Sequence, residues 1–403
     1  MEYTAKNGLT LNLDYYPEVL VEDITKLTNA EWLQARRNGI GGSDCGIIYG
    51  VSEFRTIKDL YYDKIGKQPI IKLDDKKPFE DPALEELRQR YNGQQNWFRL
   101  EVGHRLEELV AAAFAQKTGC EPYAVRKMFR HPFFPWLLAD VDYFVDIPDE
   151  DGIMRTYILE IKTTSYMNKK AWGDDFAPTI PQSYVLQGID YMATCNVSGV
   201  IYACCFDNNE ESIIIRKMER DLDAEADLIL KTRDFWLNNV EALEEPGYTD
   251  GDCPEAIKAC MEKWSEERPL GTKVDLNGVN DIIKIESEEY TLEQVFARYE
   301  MAEQKIEEFK KMMKPYEEMS ARYKAILQDS IGNMVSADVT TSENFIWKLG
   351  YTQVCKKDQL SKANLERLKM EHPKIYKYLK DNMYLSDLVY YPCKIKKRYM
   401  ASK

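Results

Sequence analysis

Ile158-Leu159-Glu160-Ile161-Lys162 follows Trp136-Leu137-Leu138-Ala139-Asp140-Val141-Asp142-Tyr143-Phe144-Val145 across the segment Pro148 to Gly152. Both runs are mostly apolar, and the Pro, Asp and Gly between them are residues that reverse a chain, so the pair reads as two adjacent strands. Alternate side chains of a strand point the same way, which puts Glu160 and Lys162 on one face and Leu159 and Ile161 on the other. Pairing of the two strands would bring Asp142 close to Glu160. Two neighbouring carboxylates offer oxygen ligands to a hard divalent cation, and an amine beside them can orient a bound water. This is the pattern that cuts phosphodiesters. A pattern so short also arises as the solvated edge of a hairpin, and the rest of the chain has to separate the two readings.

The 403 residues are enough for two or three domains, and a hydrophobic fraction of 44% is ordinary for a globular chain. The N-terminus Met1-Glu2-Tyr3-Thr4-Ala5-Lys6 has neither the basic start nor the apolar run of a signal peptide. No stretch has the roughly 18 apolar residues that cross a bilayer. The expected location is the cytoplasm, without a membrane partner. Nine cysteines lie scattered with no Cys-x-x-Cys pair, which disfavours a zinc ribbon and an iron–sulfur cluster. A net charge of -14 excludes a protein that coats nucleic acid through an extended basic surface. From Tyr351 to Lys403, however, 13 Lys and Arg stand against 5 Asp and Glu, so an acidic body ends in a basic tail that can touch DNA locally.

Residues 1–245 read as one α/β unit. Ile24, Leu27, Trp32 and Leu33 have helical spacing over Asp23–Arg37, leading into Gly39-Ile40-Gly41-Gly42-Ser43-Asp44. A short helix through Ile47 and Ile48 follows, then one through Ile57, Leu60, Tyr61 and Ile65. Lys72–Glu85 is polar and reads as an exposed loop. Val102, Leu106, Leu109, Val110, Ala113 and Phe114 mark an amphipathic helix over Asn96–Thr118, ended by Gly119. After the two strands come a helix at Pro181–Thr194, strands at Gly199–Phe206 and Ser212–Arg216, and a helix at Asp221–Leu243. Residues 246–280, with their Pro and Gly, read as a linker. In 281–403, Leu292, Val295, Phe296, Tyr299, Ala302, Ile306 and Phe309 form a helical stripe that Pro315 is expected to kink or divide. A helix at Lys362–Lys369 and short strand-like runs around Phe345–Lys348 and Gln353-Val354 complete the extension.

Five segments occur together in order. They are Trp32 through Asp44, Gly103-His104-Arg105-Leu106-Glu107, Ala139-Asp140-Val141-Asp142, Glu160-Ile161-Lys162, and Gln187-Gly188-Ile189-Asp190-Tyr191-Met192. In this order and spacing the chain resembles, over about residues 30–240, the YqaJ-like viral recombinase family, whose best known relative is phage lambda exonuclease, within the PD-(D/E)XK nucleases. The resemblance implies a restriction-endonuclease-like α/β core, a central mixed β-sheet flanked by helices, here followed by a mainly α-helical C-terminal extension. It implies that Glu107, Asp142, Glu160 and the backbone carbonyl of Ile161 hold Mg²⁺, with Mn²⁺ as a substitute. Lys162 would orient the attacking water, and Gln187 would fix Lys162 or that water. It also implies that Arg36, Gly42 and Ser43 hold the 5′-phosphate of a DNA end, with Arg37 as the other candidate arginine. The expected activity is 5′ to 3′ degradation of linear duplex DNA for recombination, encoded by a phage or prophage. The expected partners are DNA ends, a single-strand annealing protein and further copies of the chain, the ring-forming relatives pointing to a trimer.

Several choices stay open on the residues alone. Glu108 rivals Glu107, and either can be a solvated helix residue. Asp140 rivals Asp142, because two residues along one strand share a face. The glycine cluster has a plainer reading as a turn and helix cap. Val141 stands where the family often has Pro, and Asp190 where it often has His. An endonuclease or single-strand nuclease with the same chemistry is one alternative, and a catalytically silent DNA-end-binding module is another.

Overall fold

Hydrophobic alternation builds the core around one strand, Met154–Thr164. A computed structural model describes residues 2–69, 80–90, 97–149, 151–174, 176–264, 282–285, 288–332, 336–340, 345–351, 354–356, 362–381, 388–390 and 393–399. The chain forms two compact units, Met1–Val295 and Phe296–Lys403.

In the first unit Met154–Thr164 pairs antiparallel with Tyr143–Pro148, setting Tyr143 opposite Leu159, and parallel with Gly199–Phe206, setting Tyr202 opposite Glu160. Ile214–Glu219 and Pro122–Tyr123 close the two edges of this five-stranded mixed sheet. Helices cover both faces, as the sequence implies for a restriction-endonuclease-like core. Leu159 and Ile161 pack with Val110 and Phe114 of the helix Trp97–Thr118. That helix stops at Gly119, whose φ of +73° is readily adopted only without a Cβ. On the other face Ile158, Tyr202 and Cys204 share a core with Ile189 and Met192 of the helix Gln182–Cys195. The parallel strands require a crossover, and Gln182–Cys195 is that crossover. Behind it lie the helices Gly42–Ile48 and Leu222–Phe235.

The run Trp136–Val145 is not one strand. Leu137–Asp140 belongs to a second sheet, ordered Glu18–Val21, Met128–Arg130, Leu137–Asp140, Ile40–Gly41, whereas Tyr143–Pro148 belongs to the main sheet. Val141 and Asp142 carry the chain from one sheet to the other, so the expectation that Asp140 and Asp142 share a face fails. The helix expected over Asp23–Arg37 begins only at Asn29, because Thr28 and Glu31 form a reciprocal capping box there, and a short 3-10 turn, Ile24–Lys26, precedes it. Within the expected loop, residues 72–79 lie outside the described residues and Pro82–Arg90 is helical. Residues 246–264, read from sequence as part of a linker, contain the helix Pro254–Trp264, whose Ala256, Cys260 and Trp264 are buried. Trp264 donates from Nε1 to Asp59 Oδ1 at 2.7 Å, tying the helix to Ile57–Lys64.

The helix Leu292–Ile331, whose first four residues belong to the first unit and the rest to the second, runs for 40 residues with Pro315 inside it, so the proline does not divide it. A three-stranded antiparallel sheet, Ser336–Thr340, Phe345–Tyr351 and Cys393–Tyr399, and the helices Lys362–Glu371 and Pro373–Asp381 follow. Val354–Lys356 pairs with Leu388–Tyr390 in a further two-stranded sheet, so the described extension is mainly helical with two small sheets. Gln353 lies outside the described residues, and among the described residues no helix is long and apolar enough to cross a membrane.

Candidate active site

Period-two alternation in Met154–Thr164 sends Glu160 and Lys162 toward the crossover helix, where the apolar pattern of that helix is interrupted by Gln187. Glu160 is only 4% exposed. Its Oε1 accepts from Lys162 Nζ at 2.8 Å and from Gln187 Nε2 at 2.7 Å, while Lys162 Nζ also donates to Gln187 Oε1 at 3.0 Å. The three side chains close a ring of hydrogen bonds. Gln187 Nε2 also lies 3.0 Å from the Tyr191 hydroxyl, which in turn donates to the backbone carbonyl of Asp140. Lys162 Nζ sits 4.5 Å from the centre of the Tyr184 ring. Tyr184, Gln187 and Tyr191 share one helical face by their spacing. That spacing is the signal by which the two tyrosines are legible in the sequence.

Asp142, at the passage between the sheets, accepts the Ile161 backbone N–H on Oδ2 at 2.8 Å. This fixes the aspartate beside the strand. Burial, then the charges of Glu160 and Glu107, push the Asp142 carboxyl well above the usual carboxylate range. Burial also raises Glu160, against the opposing pull of Lys162. Burial alone would lower Lys162, but Glu160, Tyr184 and Asp142 together hold it above its ordinary value. The group is an ion cluster with surplus negative charge in a dry place, and Glu160 Oε2 is buried with no hydrogen-bond partner. A divalent cation would satisfy that oxygen and relieve the mutual repulsion. Among the described residues no three Asp, Glu, His or Cys side chains already close on one metal-sized point. The donor set is therefore open, and fits a cation whose remaining ligands are backbone carbonyl, water and substrate oxygen.

Glu107 reaches the same place from the helix Trp97–Thr118. Its Oε1 accepts from His104 Nδ1 at 3.0 Å, and it lines a cleft of about 720 Å³ together with Gly103, Ile161, Lys162, Arg55 and Lys263. Glu108 points elsewhere, 3.8 Å from Arg126 with its side chain 81% exposed. Asp140 is engaged by the Trp32 indole, which donates to Oδ2 at 2.8 Å. Glu108 thus stands apart from the cleft, whereas Asp140, though engaged by Trp32, still adds its charge to that of Glu160.

The glycine cluster is joined to this site. A Cβ on Gly42 would lie 2.7 Å from Tyr191 Cε1 and 2.8 Å from Gln187 Cγ, so the missing side chain lets the segment lie directly against the residue that holds Lys162. Arg36 stacks over the Trp32 ring at 4.9 Å and donates from Nη2 to Ser43 Oγ at 2.8 Å. Ser43 is exposed. The buried Asp44 beneath pairs with Lys64 at 2.7 Å and lies 3.8 Å from Arg36 and 3.9 Å from Arg55. Burial alone would raise its carboxyl, but Lys64, Arg36 and Arg55 together hold it well below the usual range. Arg37 turns away to Asp63 at 3.4 Å. Asp190, at the position where the resemblance expects His, is fully buried with neither oxygen hydrogen-bonded, and burial pushes its carboxyl well up.

Residues 31–198 match the family model of the YqaJ-like viral recombinase domain. Over 266 residues, 65% of this chain and 71% of the relative, the sequence is 28% identical to the uncharacterized protein YqaJ of Bacillus subtilis strain 168. Among solved structures it is similar to an alkaline exonuclease of Laribacter hongkongensis, at 17% identity and a TM-score of 0.39, over 54% of this chain and 94% of that one. The complex of that exonuclease with dAMP aligns at 18% identity and a TM-score of 0.37, over the same 54% and 94%.

Proposed function

We propose, from the premise that residues 31–198 form a YqaJ-like viral recombinase domain, that the protein is a DNA exonuclease, dependent on a divalent cation and acting from the 5′ end of linear duplex DNA. The observation that carries this reading is the buried ring of Glu160, Lys162 and Gln187, with its unpartnered Glu160 Oε2 next to Asp142. Burying a carboxylate oxygen without a partner is costly, and a cation bound there would remove that cost.

Glu107, Asp142, Glu160 and the Ile161 carbonyl would hold Mg²⁺, with Mn²⁺ able to replace it. When bound, the cation would polarise the scissile phosphate and lower the pKa of a water. Lys162 does two things in this scheme. Its ammonium offsets the charge that builds on the phosphate oxygens, and its fixed position orients the attacking water. Gln187 supports it: the carboxamide accepts from Lys162 and donates to Glu160, so neither side chain can turn away. Arg36 and Ser43 would grip a terminal 5′-phosphate. They stand on the segment that packs against Gln187, so the end of the strand is registered against the cutting residues. The single strands left behind are the substrate of a single-strand annealing protein, the partner expected for a phage or prophage recombination system.

The test is digestion of linear duplex DNA with and without a 5′-phosphate, and of closed circular DNA, in Mg²⁺. Wild type should degrade the phosphorylated linear substrate and leave circles intact, and Lys162→Ala should slow that reaction by about a thousandfold. Cut circles would move the reading to an endonuclease. Binding of DNA ends with no Lys162-dependent cleavage would move it to an end-binding module.

A further inference from the structure

The helix Leu292–Ile331 is long, apolar on one side and open to solvent along that side. Tyr299, Ile306, Met313, Ser320 and Leu327 recur every seven residues, and Ala302, Phe309, Tyr316, Tyr323 and Ser330 follow each by three. This is a heptad seam sustained over more than four repeats, with Pro315 on the outer face. A strict seven-residue repeat is the pattern of a helix that supercoils with another, since an isolated α-helix has no use for it. The seam is exposed: Tyr299, Phe309, Tyr316 and Tyr323 are 63%, 59%, 70% and 59% accessible.

We propose that this helix pairs with the same helix of a second copy of the chain, antiparallel, about a two-fold axis between Lys314 and Pro315. The charges beside the seam identify the occupant. Glu303, Lys310, Glu317 and Lys324 occupy one heptad position and alternate in sign. In an antiparallel pair this position faces its own kind across the seam. With the helices turned end for end about the stated axis, Glu303 meets Lys324 and Lys310 meets Glu317 on both sides of the dyad. All of these contacts are attractive. A slip of one heptad in one direction sets Lys310 against itself and Glu303 against Glu317. A slip in the other sets Glu317 against itself and Lys310 against Lys324. A parallel pair would instead place Lys305 against Lys310. The core layers agree with the same register, because it sets Ser320 against Phe309, Ala302 against Leu327 and Ser330 against Tyr299, small against large each time. On the other flank it brings Met312 of one copy to Met319 of the other.

Sedimentation of the full chain at micromolar concentration tests this, with two charge variants made beside wild type. Glu303→Lys with Glu317→Lys makes the flank all basic, and Lys310→Glu with Lys324→Glu makes it all acidic. Wild type should be a dimer, each variant alone should dimerise about a hundredfold more weakly, and an equimolar mixture of the two should restore a dimer containing both. Restoration on mixing also shows that each variant still folds. A wild-type monomer, the trimer that the family resemblance implies in place of a dimer, assembly that neither variant weakens, or failure of the mixture to recover would overturn the proposal. Tighter assembly of the acidic variant would overturn it in favour of a parallel pair, because that variant removes the clash with Lys305.

Discussion

The absence of one side chain, at Gly42, couples the two halves of the candidate site. Adding a methyl group there forces Tyr191 or Gln187 to move, because both lie under 3 Å from the new atom. Gln187 holds Lys162 and Glu160, so the displacement is passed to the residues proposed to act on the phosphate. Gly42→Ala should therefore cost about 1–3 kcal/mol of stability and yet lower the cleavage rate more than about tenfold, since small displacements of reacting groups are expensive. A denaturation curve and a nuclease rate on the same preparation check it. Equal rates in variant and wild type would sever the link drawn here between the glycine segment and the crossover helix. Glu160→Gln is the complementary experiment. It keeps the shape, removes the charge that holds Lys162 up, and should abolish Mg²⁺-dependent cleavage while leaving the fold, a result that cleavage and near-ultraviolet circular dichroism would read together.

At the scale of elements, strand periodicity put Glu160 and Lys162 on one face, and the structure has them there. Periodicity could not show that Trp136–Val145 breaks after Asp140, because a run of apolar residues buried on both sides looks alike whether it belongs to one sheet or two. It also could not place Pro254–Trp264. That helix is short and flanked by Pro and Gly, and it is held by tertiary contacts, chiefly Trp264 with Asp59 and Lys263 with the same aspartate at 2.8 Å. Trp264→Ala should then destabilise the first unit by about 3–5 kcal/mol, measured by chemical denaturation. If the region behaved as a free linker the loss would be within error of zero.

For the whole molecule, pH is the informative variable. His131 is 3% exposed, and its Nδ1 accepts the backbone N–H groups of Phe133 and Phe134. Burial, with a smaller push from Arg220, lowers it to about 4 from the ordinary 6.5. The unfolded chain takes up this proton first as pH falls. Stability is therefore full above pH 6.5, declines as pH drops from there, and the loss is complete near pH 4, amounting to about 3 kcal/mol from this residue. Buried carboxyls raised in the fold, such as Asp190, act in the opposite sense, because folding favours their protonated form. The clean readout is the difference between wild type and His131→Gln in denaturation midpoint at pH 7 and pH 4.5. The variant should show a smaller drop across that window, and an identical drop would remove His131 from the account.

The sequence by itself determined which residue types stand at which phase of each element: the Glu-x-Lys on one strand face, the amide on the crossover helix, the heptad seam of the long helix. These depend only on the repeat of a strand or a helix, and that repeat is local. The tertiary structure decided who competes for each group. Trp32 engages Asp140 and leaves Asp142 to the Ile161 N–H; Asp63 takes Arg37 and leaves Arg36 to Ser43; Arg126 stands beside Glu108 while Glu107 faces the cleft. Hydrogen bonds and burial between residues far apart in the chain make those choices, and no spacing along the sequence records them.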